Sequence, residues 1–136
     1  MSASRVGKIL ITGASPDQLN RNTVLRGFVS EGFRQILGLV RVREVSLTHV
    51  PAVMPEFRPD LVLVFGSCMP DECDYSALRH SCNQLGAKLA FWLHDDPYEF
   101  DHAYKATRHA DYVFSNDAWA TLHYSHPATH HLGTGA

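Results

Sequence analysis

Along this chain, short solid blocks of apolar residues take turns with longer stretches in which apolar residues recur every three or four positions. "KILITGA" (8–14) is such a block, rich in β-branched residues and ending in glycine, and reads as a buried strand. The segment 21–37 then places Val24, Leu25, Phe28, Val29, Phe33 and Ile36 at helical spacing, which predicts an amphipathic helix. "VREVSLTHV" (42–50) alternates imperfectly and reads as a strand, and "PAVMPEFRP" reads as a proline-punctuated connection. "DLVLVFGS" (60–67) is the cleanest buried strand. "DYSALRHSCNQLG" (74–86) is a helix opened by Asp74 as N-cap and closed by Gly86.

The alternation continues to the end. "AKLAFWL" (87–93) is a strand, "PYEFDHAYKATRHA" (97–110) a helix, "DYVFSN" (111–116) a strand, "AWATLHYSH" (118–126) a helix and "ATHHL" (128–132) a final short strand. Strands apolar on both faces need cover on both sides, and parallel neighbours need crossovers that are usually helical. The expected fold is therefore α/β: one Rossmann-like, three-layer α/β/α domain over residues 1–136 with a mainly parallel sheet.

Composition narrows the function classes. At 136 residues and 45% hydrophobic, the chain suffices for one core. A net charge of −2 gives no electrostatic reason to expect a nucleic-acid partner. The longest apolar runs fall far short of the roughly 20 residues a membrane span needs, so no span is expected. The N-terminus lacks a signal-peptide layout, which points to the cytoplasm. Cys68, Cys73 and Cys82 are odd in number and form no C-x-x-C pair, the pattern of reduced structural thiols.

In an open parallel sheet, ligands bind outside the carboxyl ends of the strands. Those ends carry Gly13 and Ser15 with the nearby Asn22, then Gly66 and Ser67, then His94, Asp95 and Asp96, then Asn116 and Asp117. All are candidate ligand-binding residues. "GASPDQLNRNT" is neither G-x-G-x-x-G nor a P-loop, so what remains there is a helix N-terminus, with Asn20 or Asn22 as cap.

The polar centre of the chain is "FWLHDDPYEFD" (91–101). Asp96-Pro97-Tyr98-Glu99 has the layout of an N-cap, a proline at the first helical position and a carboxylate at the third. Capping uses one aspartate and leaves His94 and Asp95 for the crevice, where they are the candidate catalytic pair. Asp117, ahead of "AWATL", is a second N-cap. A metal site is not expected, because adjacent residues on an extended chain diverge. His123 and His126, an i, i+3 pair near His130 and His131, read as a polar helix face rather than zinc ligands. No serine or cysteine has a base beside it in sequence.

Taken in order, "KILITGASPDQLNRNTVLRGFVSEGF", "RPDLVLVFGS", "LGAKLAFWLHDDPYEFD" and "ADYVFSNDAWATLHYSH" resemble the N-terminal half of the CgeB-like, spore-maturation-type glycosyltransferases of GT-B architecture. The resemblance runs from about residue 8 to 132. It implies the acceptor-side half of a nucleotide-sugar-dependent glycosyltransferase, with His94, Asp95 and Asp96 matching the cleft-facing D-D-P loop and Asn116 and Asp117 the N-D turn. A carboxylate or histidine there would act as general base on an acceptor hydroxyl. The nucleotide-sugar donor would bind mainly in a second domain that this sequence, ending at "GTGA", does not include. This chain would then have no cofactor of its own, would be inactive alone, and would need a donor-binding domain from another chain, or a homo-oligomer. The alternative expectation is a non-catalytic α/β binding or interaction module. A metal-dependent hydrolase using His94 and Asp95 is a third.

Overall fold

The structure, a computed structural model, describes residues 6–19, 22–66, 75–98 and 100–133. Six strands form one parallel sheet: β1 (Ile9–Gly13), β2 (Val42–Glu44), β3 (Leu61–Phe65), β4 (Lys88–Leu93), β5 (Tyr112–Ser115) and β6 (Thr129–His131), in the order β2-β1-β3-β4-β5-β6. The apolar blocks became strands because side chains that point to opposite faces all found cover. Leu10, Val62, Val64, Leu89, Phe91, Leu93 and Val113 project into one core, and Ile9, Ile11, Leu63 and Ala90 into the other.

Helices α1 (Thr23–Leu37), α2 (Val50–Phe57), α3 (Tyr75–Leu85), α4 (Phe100–Thr107) and α5 (Ala118–His123) carry the crossovers. Their distribution is uneven. Val50 and Met54 of α2, Leu78 and Cys82 of α3, Ala103 and Ala106 of α4 and Ala120 of α5 all enter the first core, whereas among the described helices only α1, through Val29, Phe33 and Leu37, covers the second. Right-handed crossovers dictate this result. The chain steps one way from β1 to β2 and the other way ever after, so one helix lands on one face and four on the opposite face. Past α1, the same face continues over β4, β5 and β6 with Trp92, Phe114 and His130, the last two stacked at 5.6 Å.

Several expectations are corrected. The strand expected over 42–50 stops at Glu44, and a 3₁₀ turn (Leu47–His49) leads directly into α2. The supposed connection "PAVMPEFRP" is largely that helix. Pro51 lies in the first turn, where its missing N–H is no loss, and Val50, Met54 and Phe57 are buried at i, i+4 and i+7. That spacing was visible beneath the prolines. The helix expected over 97–110 begins only at Phe100, and that over 118–126 ends at His123.

The apolar stripe of α1 is also not where its spacing put it. Val24, Leu25, Phe28 and Ile36 are 67, 48, 69 and 79% exposed, while Arg26 and Ser30 are buried against the sheet. Arg26 reaches the interior because its charge is met there. Its Nε donates to Glu44 Oε2 at 2.6 Å, and its two terminal nitrogens donate to Asp17 at 2.8 and 3.1 Å.

Candidate functional site

The register settles what shares an edge. Gly13 pairs with Phe65, Phe65 with Trp92, and Leu93 with Ser115, so the loops that follow β1, β3, β4 and β5 emerge side by side, about 4.8 Å from neighbour to neighbour. Gly13, Ser15, Gly66, His94, Asp95, Asp96, Asn116 and Asp117 therefore all lie at the carboxyl edge. Asn22 stands apart, at the start of α1, and caps it by position without a side-chain capping bond. Ser67, Asn20, Asp74, Glu99, Cys68 and Cys73 lie outside the described residues.

At the switch in strand order, between β1 and β3, the edge is closed. Gly66 has φ +150°, and a Cβ there would meet Ala14 Cβ at 3.2 Å and Ala14 N at 3.3 Å, so the two loops pack as closely as a glycine allows. Ser15 is buried in the same place, and the Tyr75 hydroxyl donates to the Ala14 carbonyl.

The open chemistry is one strand over, on the same face as α1 but past it. His94 lies two residues past Trp92 and stacks on Phe65, with ring centroids 4.4 Å apart. Asn116 is the residue after Ser115, on the side of Phe114. Trp92 Nε1, His94 Nε2 and Asn116 Oδ1 are all buried without a hydrogen-bond partner. Burial holds the His94 imidazole below the ordinary value of 6.5, against the pull of Asp95 and Asp96. It is neutral at neutral pH, so Nε2 can offer either a proton or a lone pair, depending on tautomer.

A pH dependence follows. A histidine whose folded value is depressed contributes stability that is present above the unfolded value and lost as pH falls through the folded one. Relative to wild type, His94→Phe is expected to flatten the fall in melting temperature below about pH 6.5. Paired thermal melts across that window check it, and parallel curves would show that His94 is not the group responsible.

The two aspartates beside it part company. Asp95 is exposed. Asp96 is 4% exposed and turns into the first core, where the Ser115 hydroxyl donates to it at 2.7 Å and the Tyr124 hydroxyl at 2.7 Å. The expected capping role of Asp96 is therefore corrected: α4 starts four residues later, and the carboxylate is held by two hydroxyls instead. Burial pushes its pKa up while those two bonds pull it down, with burial the stronger. Burial also raises the Tyr124 phenol, which stays protonated and donates. His94, stacked on Phe65, and Asp96 point to opposite faces although they are two residues apart, because the chain leaves the extended conformation after Leu93 and turns. Asp117, by contrast, caps α5 as read, its carboxylate accepting from Ala120 N at 2.8 Å, a contribution of about 1 kcal/mol.

Other sequence candidates are accounted for by structure. His126 uses both ring nitrogens, Nε2 toward the Ala110 carbonyl at 2.8 Å and Nδ1 accepting from Ala128 N at 3.0 Å. His123 stacks on Trp119. Among the described residues, no three or more histidine, cysteine, aspartate or glutamate side chains gather as metal ligands would. The buried Cys82 thiol is pushed up to about 11, which makes it a poor nucleophile. Beside β2, an open depression of about 510 Å³ is lined by Asp17, Arg26, Glu44, Ser46 and His49. Arg26 is committed to the two carboxylates there, so the depression offers no free guanidinium to an anion. Sequence reasoning missed Trp92, whose indole belongs with His94; its i−2 spacing from His94 on a strand was the available signal.

No protein-family model matches the chain, and neither does any curated protein. Among solved structures it is similar to a two-component response regulator of the LuxR family from Aurantimonas sp. SI85-9A1, at 18% identity over 86% of this chain and 78% of that one, with a TM-score of 0.49. The expected kinship with CgeB-like glycosyltransferases is corrected by these findings. Neither a family model nor a curated protein supports that kinship. The residues that carried the resemblance have duties in the fold: Asp96 bonds Ser115 and Tyr124, Asp117 caps α5, and Asp111 accepts from Leu89 N and Arg79. The GT-B transferase reading is withdrawn with it. No described helix is long and apolar enough to cross a membrane.

Proposed function

We propose that this chain is a non-catalytic α/β binding module whose carboxyl edge, on the face left open beside α1, takes a small planar ligand with hydrogen-bonding edges. One observation carries the reading: Trp92 Nε1, His94 Nε2 and Asn116 Oδ1 are three buried polar atoms without partners, on one sheet face, at the ends of two adjacent strands. Buried polar groups are nearly always paired, and each orphan costs about 1–3 kcal/mol. Three together point to a partner supplied from outside. A planar amide fits, since it can donate to the Asn116 oxygen, meet the His94 nitrogen with either sense of bond, and lie against the Phe65 and Phe114 rings. Each atom is shielded by its neighbours, so the ligand enters with a displacement of side chains at the rim.

The test exploits the cost of holding unmatched groups. Asn116→Leu and His94→Phe are expected to raise stability by up to about 1 kcal/mol each, because they replace orphaned polar atoms with apolar ones of similar size. They should also abolish chemical-shift changes that nicotinamide, uracil or benzamide produce at Gly66, His94 and Asn116 in the wild type. Loss of stability in both variants, or shifts scattered over the surface, would overturn the reading.

A further inference from the structure

On the opposite side of the sheet, α4 and α5 frame an open depression of about 420 Å³ lined by Pro97, Tyr98, Phe100, Asp101 and Trp119. Its walls are aromatic and its charge is negative. Tyr98 is 85% exposed and Trp119 51%, an unusual use of two large rings in water unless something covers them. The rings are not loose. Phe100 meets Trp119 edge-on at 5.1 Å, Tyr124 at 4.7 Å and Tyr104 at 5.6 Å, and Trp119 is backed by His123, stacked at 4.2 Å. His123 is itself tied to the Trp119 carbonyl at 2.7 Å.

Asp101 stands in the first turn of α4. Among the described residues, no lysine or arginine lines the depression. Lys105, one turn further on, lines a separate hollow with Tyr104 and Arg108. A neutral apolar ligand would use the rings and waste the carboxylate, while an anion would be repelled by it. A bare metal ion would find, among the described residues, one carboxylate. A cation clothed in methyl groups uses both parts, because ring faces attract a diffuse positive charge and the carboxylate neutralises it.

We propose that the depression bounded by Tyr98, Phe100, Asp101 and Trp119 binds an alkylated ammonium ion. The same chemistry is carried by a free quaternary amine and by a methylated lysine side chain, and the experiment separates the two sources. Tetramethylammonium chloride and choline are titrated into the isotopically labelled protein, in parallel with 3,3-dimethylbutanol, the neutral isostere, and with sodium chloride. A short peptide bearing trimethyllysine forms a further arm.

The expected result is saturable movement of the Trp119 indole resonance with the ammonium ions, at least about tenfold weaker with the neutral isostere, and none with sodium chloride. Asp101→Asn should weaken binding by about the same factor, and Tyr98→Ala, an exposed residue whose loss leaves the fold intact, should weaken it as well. Tighter binding of the peptide than of choline assigns the site to a protein partner, and the reverse assigns it to a free amine. Equal binding of the neutral isostere, or an unchanged affinity in Asp101→Asn, would overturn the proposal. His94→Phe should leave this site untouched, so its outcome and that of the amide site are read separately.

Discussion

Arg26→Ala is expected to destabilise the protein by about 3 kcal/mol, the low end of what breaking a buried ion pair costs, because both partner carboxylates keep some access to water. Arg26 is 4% exposed and ties three pieces of chain together: α1, which carries it, the loop after β1 through Asp17, and the end of β2 through Glu44. The Arg26 bond also holds the Asp17 carboxyl below its usual range. Removing the guanidinium leaves two carboxylates facing each other with no countercharge and a void beneath the helix. The melting temperature should fall by roughly 10 °C or more. The reading is specific to charge. Arg26→Met combined with Asp17→Asn and Glu44→Gln keeps the volume and removes the stranded charges, and should recover much of the loss. Recovery by Arg26→Met alone would show that packing, not pairing, is what Arg26 supplies.

Asp96→Ala ranks beside it, also at about 3 kcal/mol, since it strands the Tyr124 hydroxyl in the core and leaves Ser115 only its longer bonds to the Asp117 backbone, after removing two charge-assisted bonds. Asp95→Ala, at an exposed position, should leave the melt nearly unchanged. The pH sign distinguishes this from a cap. Asp96 has a raised folded value, so its contribution is full below 3.8 and is lost as pH rises through that raised value. Asp96→Asn retains one oxygen that can accept both hydroxyls and should cost far less than alanine. Wild type should gain on that variant as the solution is acidified toward pH 4. Denaturant unfolding of the variants over that range checks both statements. A loss of only about 1 kcal/mol in Asp96→Ala, constant with pH, would return Asp96 to the rank of an ordinary cap.

These two residues also show where reading the sequence stopped. The buried strands were legible because a block of apolar residues such as "LVLVF" can satisfy its backbone and its side chains only between two neighbours and two layers. Gly86, with φ +69°, ended α3 as its position implied, and Asp117 capped α5. Asp96 had the same local signature as Asp117, aspartate ahead of a helical stretch, and a different fate. Its partners lie 19 and 28 residues away, and nothing nearby records them. The apolar spacing of α1 was real, yet it described a helix with apolar residues on more than one side. Which side faced the sheet was decided by whether Arg26 could find two carboxylates from other parts of the chain.

By itself, then, the sequence determined the alternation of strand and helix, the parallel α/β class and the presence of His94 and Asn116 at strand ends, because periodicity and backbone hydrogen bonding are properties of short segments. The tertiary structure alone decided the strand order, the gathering of four helices on one face, the open half of the other, and which polar groups are matched or left waiting there. Those outcomes depend on the handedness of crossovers and on meetings between residues far apart along the chain, where burial fixes the cost of every unpaired atom.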